Sequence, residues 1–224
     1  MNWMRRFSVA AFLMAQTILY LLFLSRDLAG AGNETALLKY GSIVLCLLAS
    51  GYWSVKGGDK LVTAALALTL GADTFLLLLN RDYPLGVLLF CGVQGLYLVR
   101  IYRKNGRNSL WAVRLGCCLL AYLALWKTER MNPLNALVVF YIINFVWNAV
   151  QSLALSGLGA RLFSAGLVLF LCCDLCVGVF NQPDLFPNFW YLFATIAMWL
   201  FYLPAQVLIV LSGLPDLDAV RECP

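Results

Sequence analysis

Apolar runs of roughly 20 residues, the length a helix needs to cross a hydrocarbon core, recur along this chain from end to end. They fall at 7–25, 36–54, 61–80, 84–102, 109–126, 133–155, 161–180 and 190–212, joined by short polar or Gly/Pro-containing turns such as "NRDYP", "RKNGRNS" and "NQPDLFPN". Only 12% of the residues are charged and 62% are hydrophobic, against roughly 25% charged in a soluble domain, so no water-soluble surface can be built from them. The expected fold is all-α: a polytopic membrane bundle of eight transmembrane helices, one transmembrane domain over 1–224 with nothing left for a soluble domain. The first run lacks a small-residue cleavage site and is too long for a signal peptide's apolar region, which makes it a helix of the mature protein.

Lys and Arg set the expected orientation, because positively charged loops stay cytoplasmic. With the N-terminus inside, the cytoplasmic segments hold Arg5, Arg6, Lys56, Lys60, Arg100, Arg103, Lys104, Arg107, Arg161 and Arg221; the other side holds Arg26, Arg81, Lys127 and Arg130. Both termini are then cytoplasmic. The net charge of +5 reflects this topology, and a nucleic-acid partner finds no support. A single Asn-Glu-Thr sequon at Asn33 faces outward.

Seven of the eight cysteines, Cys46, Cys91, Cys117, Cys118, Cys172, Cys173 and Cys176, lie inside the expected helices and read as small apolar fillers. Cys173 and Cys176 form a CxxC, but a zinc site needs two further ligands and the chain contains no histidine. No metal and no cofactor is expected.

Of the eleven acidic residues, only Asp73 and Asp174 fall within the expected spans. A carboxylate at mid-membrane costs roughly 2.5 to 3.5 kcal/mol on insertion scales, so such residues face the bundle interior and commonly serve function. Their settings match: Lys60 and Arg161, Asp73 and Asp174, and Asn80 and Asn181 are all offset by 101. A parallel repeat of four helices plus four explains this, since the third and seventh spans then carry both acids in one direction to equal depth. At about 1.5 Å per residue that depth is slightly past the midplane, on the non-cytoplasmic side.

Other polar groups are candidates for the same interior. The sixth span offers Tyr141, Asn144, Asn148 and Gln151, the last three on one helical face. Gln94 and Gln206 add amides in the fourth and eighth spans; the competing reading of each amide is interhelical glue. Arg114, about a turn from a membrane surface, is expected to snorkel into the headgroups. Lys39 lies at the outer end of the second span and either snorkels or reaches inward to pair with Asp73.

Two carboxyls close together in low dielectric cannot both ionise, so one keeps its proton and the other is a base. Such a pair suits hydrolysis of an acid-labile bond: one carboxyl protonates the substrate, an oxocarbenium-like cation forms, and the other steers water onto it. Glycosidic bonds and vinyl ethers both qualify, and of the two only a lipid vinyl ether belongs inside a membrane.

"KY" at Lys39, "LTLGADTFLLL" around Asp73, "GVQGLYLVRIY" in the fourth span, "LVLFLCCDLCVGVF" around Asp174 and "YLPAQVLIVLS" in the eighth resemble the YhhN-like lysoplasmalogenases over roughly residues 35 to 212. The resemblance implies an eight-helix membrane enzyme that hydrolyses the vinyl ether of a lysophospholipid, lysoplasmalogen, to a fatty aldehyde and a glycerophospho-ethanolamine or glycerophosphocholine. It implies Asp73 and Asp174 as the catalytic pair, with Lys39, Tyr141 and Gln206 supporting. Two positions depart from the family: Tyr40 stands where proline is usual and Gln94 where histidine is frequent. Glutamine does not titrate, so a catalytic proton would travel through the aspartates and water alone. Two other readings stay open: a small transporter with Asp73 and Asp174 as proton-relay or cation sites, and a noncatalytic lipid-binding protein with both acids in structural pairs.

Overall fold

The computed structural model describes residues 3–30, 35–104, 109–215 and 217, and among these it is helical with no strand. Eight helices follow in order: α1 (Trp3–Leu28), α2 (Ala36–Val55), α3 (Lys60–Asp73), α4 (Tyr83–Lys104), α5 (Trp111–Lys127), α6 (Pro133–Leu153), α7 (Leu158–Phe180) and α8 (Asn188–Ser212). A π-helical turn, Thr74–Leu79, extends α3, and a 3₁₀ turn, Pro183–Leu185, precedes α8. The sequon at Asn33 and the basic residues Arg107 and Arg221 lie outside the described residues.

Local chemistry sets several boundaries. Asp59 caps α3, its carboxylate accepting from the Leu61 N–H at 3.0 Å, and Asn132 caps α6 at 2.8 Å from the Asn135 N–H, with Pro133 opening the helix. The turn after the π segment closes on Asn80, whose φ of 48° is the left-handed conformation asparagine tolerates.

Seven of the eight helices, α3 taken together with its π turn as Lys60–Leu79, are long and apolar enough to cross a membrane. The exception is α5, whose 17 residues span about 25 Å against a core of about 30 Å. Leu48, Leu88, Leu120 and Leu175 are exposed on the outside of the bundle, the reverse of a soluble protein and the surface that acyl chains cover. The chain is a multi-pass membrane protein.

The helices neighbour one another in a repeating pattern. Helix α1 packs on α2, α2 on α3, α3 on α4 and α4 across to α6; α5 packs on α6, α6 on α7, α7 on α8 and α8 across to α2. Each half therefore repeats the other's order, as the 101-residue offset anticipates. The symmetry is incomplete, because α1 also touches α8, whereas α5 leans on α6. Helices α7 and α8 pack closely at Gly166, where a Cβ would come within 2.8 Å of Ile209 Cγ1 and 3.0 Å of the Ala205 carbonyl.

The start of α1 and the residues just after α8 lie at one face of the bundle, where the Arg5 guanidinium donates to the Pro215 carbonyl; we call this the terminal face. There Arg100 of α4, 3% exposed, ties its helix to three others. It donates to Asp59 at 2.7 Å and to the Ser212 hydroxyl and carbonyl at 2.9 and 2.8 Å, and its guanidinium lies 4.2 Å from the Phe163 ring centroid.

Candidate functional site

Helix α3 carries Asp73 and helix α7 carries Asp174 into the same interior, where the two carboxyls lie within electrostatic reach of each other. Asp73 is 6% exposed; Asp174 is half-buried. Each has a tyrosine partner from a different helix. Tyr202 of α8 donates to Asp73 Oδ2 at 2.7 Å, and Tyr141 of α6 donates to Asp174 Oδ2. Phenol donors to carboxylates are charge-assisted bonds, stronger than neutral ones.

An aromatic wall joins the two pairs. The Phe170 ring is 5.5 Å from Tyr202, 5.0 Å from Phe145 and 5.8 Å from Phe90. Tyr141 in turn lies 5.7 Å from Phe145 and 5.9 Å from Phe90. The carboxyls thus sit against apolar walls of low dielectric, where hydrogen bonds and charge–charge interactions are stronger than in water.

Two irregularities in the backbone flank Asp73. The π turn starts at the next residue, and π turns inside helices occur frequently at functional sites. Its Leu76 side chain fills the place a Cβ would occupy on Gly86 of α4, 2.5 Å away. On the facing helix, Pro204 lies inside α8 two residues from Tyr202. Proline has no N–H for the Leu200 carbonyl, and that carbonyl accepts instead from the Tyr20 hydroxyl at 3.3 Å.

The other expected site residues divide. Lys39 does not reach Asp73: its ammonium pairs with Asp27 Oδ2 at 2.8 Å, both side chains 6% exposed, and lies 4.4 Å from the Trp199 ring centroid. Asp27 is nearer the ammonium because it ends α1 beside the start of α2, and Thr35 donates to its other oxygen at 2.6 Å. Lys39 still borders the Asp73 pair indirectly, since Trp199 packs 5.8 Å from Tyr202. Tyr40, the departure from the family's usual proline, sets its hydroxyl 3.0 Å from that of Thr74, next to Asp73.

Arg114 corrects the snorkelling expectation. It is 4% exposed and turns inward, donating to the Ser109 carbonyl at 2.9 Å, the Asn144 carbonyl and Oδ1 at 3.0 and 3.2 Å, Asn148 Oδ1 at 2.9 Å and Gln151 Oε1 at 2.6 Å. The polar stripe of α6 therefore seats an arginine of α5, as interhelical glue. A five-donor planar fork meets these oxygens in a way a headgroup site would not offer it from one side only. Asn148 then donates to the Gln94 carbonyl and Oε1, each at 2.9 Å. Gln206 is wholly buried, and neither polar atom of its amide has a partner among the described residues.

Sequence reasoning passed over Tyr202, Asp27 and the π turn. Tyr202 had a signal: it sits one helical turn from Gln206 in "YLPAQ", on the same face. Tyr40 and Tyr141 had another, being offset by 101 like the aspartates. Among the described residues no three His, Cys, Asp or Glu side chains cluster as metal ligands.

Comparison with known proteins gives one positive result. No curated protein and no solved structure matches the chain. The sequence model of the YhhN family does, over residues 34–213, the stretch that holds α2 through α8 and both interior aspartates, Asp73 and Asp174. The chain belongs to the YhhN family.

Proposed function

We propose that this protein is a lysoplasmalogenase-like membrane hydrolase, cleaving the vinyl ether of a lysophospholipid by aspartate acid/base catalysis. The observation that carries the reading is the pair of interior carboxyls, Asp73 buried and Asp174 half-buried, within electrostatic reach of each other and each held by a tyrosine hydroxyl, in a bundle whose outside faces lipid. In this reading one carboxyl delivers a proton to the β-carbon of the vinyl ether, and the double-bond electrons leave an oxocarbenium centre on the adjacent carbon. The other carboxylate takes a proton from water as its oxygen adds there. The resulting hemiacetal collapses to aldehyde and glycerol hydroxyl, returning the proton. No cofactor enters the sequence of steps.

Lys39 and Gln206 support the reading from the next layer out, and Gln94 stands where the family frequently has histidine. The terminal face, with Arg5, Arg6, Lys56, Lys60, Arg100, Arg103, Lys104 and Arg161, is assigned to the cytoplasm against Arg26, Arg81, Lys127 and Arg130 opposite. A proton- or cation-coupled carrier is the second reading, favoured by the π turn beside Asp73; the unbroken α7 through Asp174 speaks against it.

The test is fatty-aldehyde release from ethanolamine and choline lysoplasmalogens by purified protein and by Asp73→Asn and Asp174→Asn variants that elute as single species. Turnover lost in both folded variants supports the proposal. Absence of aldehyde from folded wild type on both headgroups overturns it and moves the carrier forward.

A further inference from the structure

Four polar side chains on the terminal side of the carboxyl pair carry atoms that are buried and unpaired among the described residues: Thr69 Oγ1, Gln94 Nε2, Tyr97 Oη, and both polar atoms of the Gln206 amide. None of the four residues exceeds 1% exposure. Buried polar groups in native structures have partners, and a bound water is a common one.

Their placement is not random. Thr69 precedes Asp73 by four residues on α3, and Gln206 follows Tyr202 by four on α8. Helices α3 and α8 run in opposite directions, so both steps lead toward the terminal face, and the Asp73–Tyr202 bond sets them at one level. That level is about 6 Å below the carboxyl. On the other pair, Gln94 is tied to Asn148, two turns below Tyr141 on α6, and Tyr97 shares Gln94's face of α4. The Tyr97 hydroxyl lies within electrostatic reach of Tyr141. Thr69 adds a second sign. A helical threonine ordinarily returns its hydroxyl to the carbonyl four residues back, as Thr74 does to Leu70 at 2.8 Å, but Thr69 does not.

We infer that Thr69, Gln94, Tyr97 and Gln206 hold ordered water on the terminal side of Asp73 and Asp174, the store from which hydrolysis draws its water. The role in hydrolysis rests on the proposed function; the hydrated site itself does not. The chemistry selects water over other ligands. The groups mix donors and acceptors and carry no charge, which suits neither an acyl chain nor a phosphate, while a water takes two to four such partners. Gln206 contributes most, since both its acceptor and its donor are unengaged among the described residues, whereas Gln94 has its Oε1 taken by Asn148. These are positioning residues: they hold the water that a carboxylate activates.

Radiolytic hydroxyl-radical labelling of the intact protein in nanodiscs, read by mass spectrometry, tests this, because radicals born from bound water mark the side chains beside it. Tyr97 is the reporter and Phe145, equally buried in an aromatic wall, the dry comparator. Tyr97 is expected to label promptly, after correction for intrinsic reactivity, and Phe145 to stay unlabelled. The Thr69→Val/Gln206→Leu variant is expected to lose labelling at Tyr97 and keep it at exposed Tyr52. Wild-type Tyr97 as unlabelled as Phe145 overturns the inference, and that arm needs no variant to fold. Aldehyde release is measured on the same samples. Labelled Tyr97 without aldehyde keeps the hydrated site and removes the hydrolase reading; aldehyde with unlabelled Tyr97 does the reverse.

Discussion

Tyr202 and Asp73 lie 129 residues apart in the chain and 2.7 Å apart in the bundle, the contact that fixes α8 against α3 at the level of the candidate site. It has a counterpart in Tyr141 and Asp174 on α6 and α7, so the two acids share a type of partner without sharing the helix it comes from.

Tyr202→Phe removes one donor to a carboxylate and little volume. A hydrogen bond to a charged group is worth about 1.5–3 kcal/mol, so under the proposed hydrolase function aldehyde release is expected to fall by roughly 10- to 100-fold while thermal unfolding moves little. Tyr141→Phe is expected to act in the same direction. Steady-state kcat on lysoplasmalogen, alongside a fluorescence melting curve, checks both.

Arg114→Met strips five acceptors of their donor, and about 2–4 kcal/mol of stability is expected to go with them. Arg114→Lys is expected to recover only part of it, because an ammonium cannot meet Asn144, Asn148 and Gln151 as a fork does. Denaturation in mixed micelles reads the difference; a snorkelling arginine would show none.

Lys39 and Asp27 form a buried ion pair, so removing one partner leaves a charge stranded. Lys39→Met alone is expected to cost about 3–5 kcal/mol. Lys39→Met with Asp27→Asn is expected to cost less than the sum of the two, as a double-mutant cycle on melting free energies records.

Gly166 is where α7 meets α8, the helices that bring Asp174 and Tyr202 inward. With Ile209 and the Ala205 carbonyl already at the position of a Cβ, Gly166→Leu is expected to destabilise by about 1–3 kcal/mol or more through overpacking. Gly178→Leu, where the corresponding space is open, is expected to be nearly neutral in the same melt.

The sequence by itself determined the fold class and the two acids. A chain this apolar has lipid for solvent, where backbone groups must pair within their own segment, and helices are the simplest way to do it. Eight long apolar runs therefore became eight helices, and Asp73 and Asp174 stood out as the acids placed where charge is most expensive. Only the tertiary structure decided which polar groups meet. Whether Arg114 faces headgroups or Asn148, and whether Lys39 finds Asp73 or Asp27, depends on how each helix is rotated and against which neighbour it lies. The π turn after Asp73 changes that rotation within α3 itself. Periodicity gives a face, but the partner of that face lies on another helix, 34 positions away for Arg114 and Asn148 and 129 for Tyr202 and Asp73, and only the packed bundle brings the last pair to 2.7 Å.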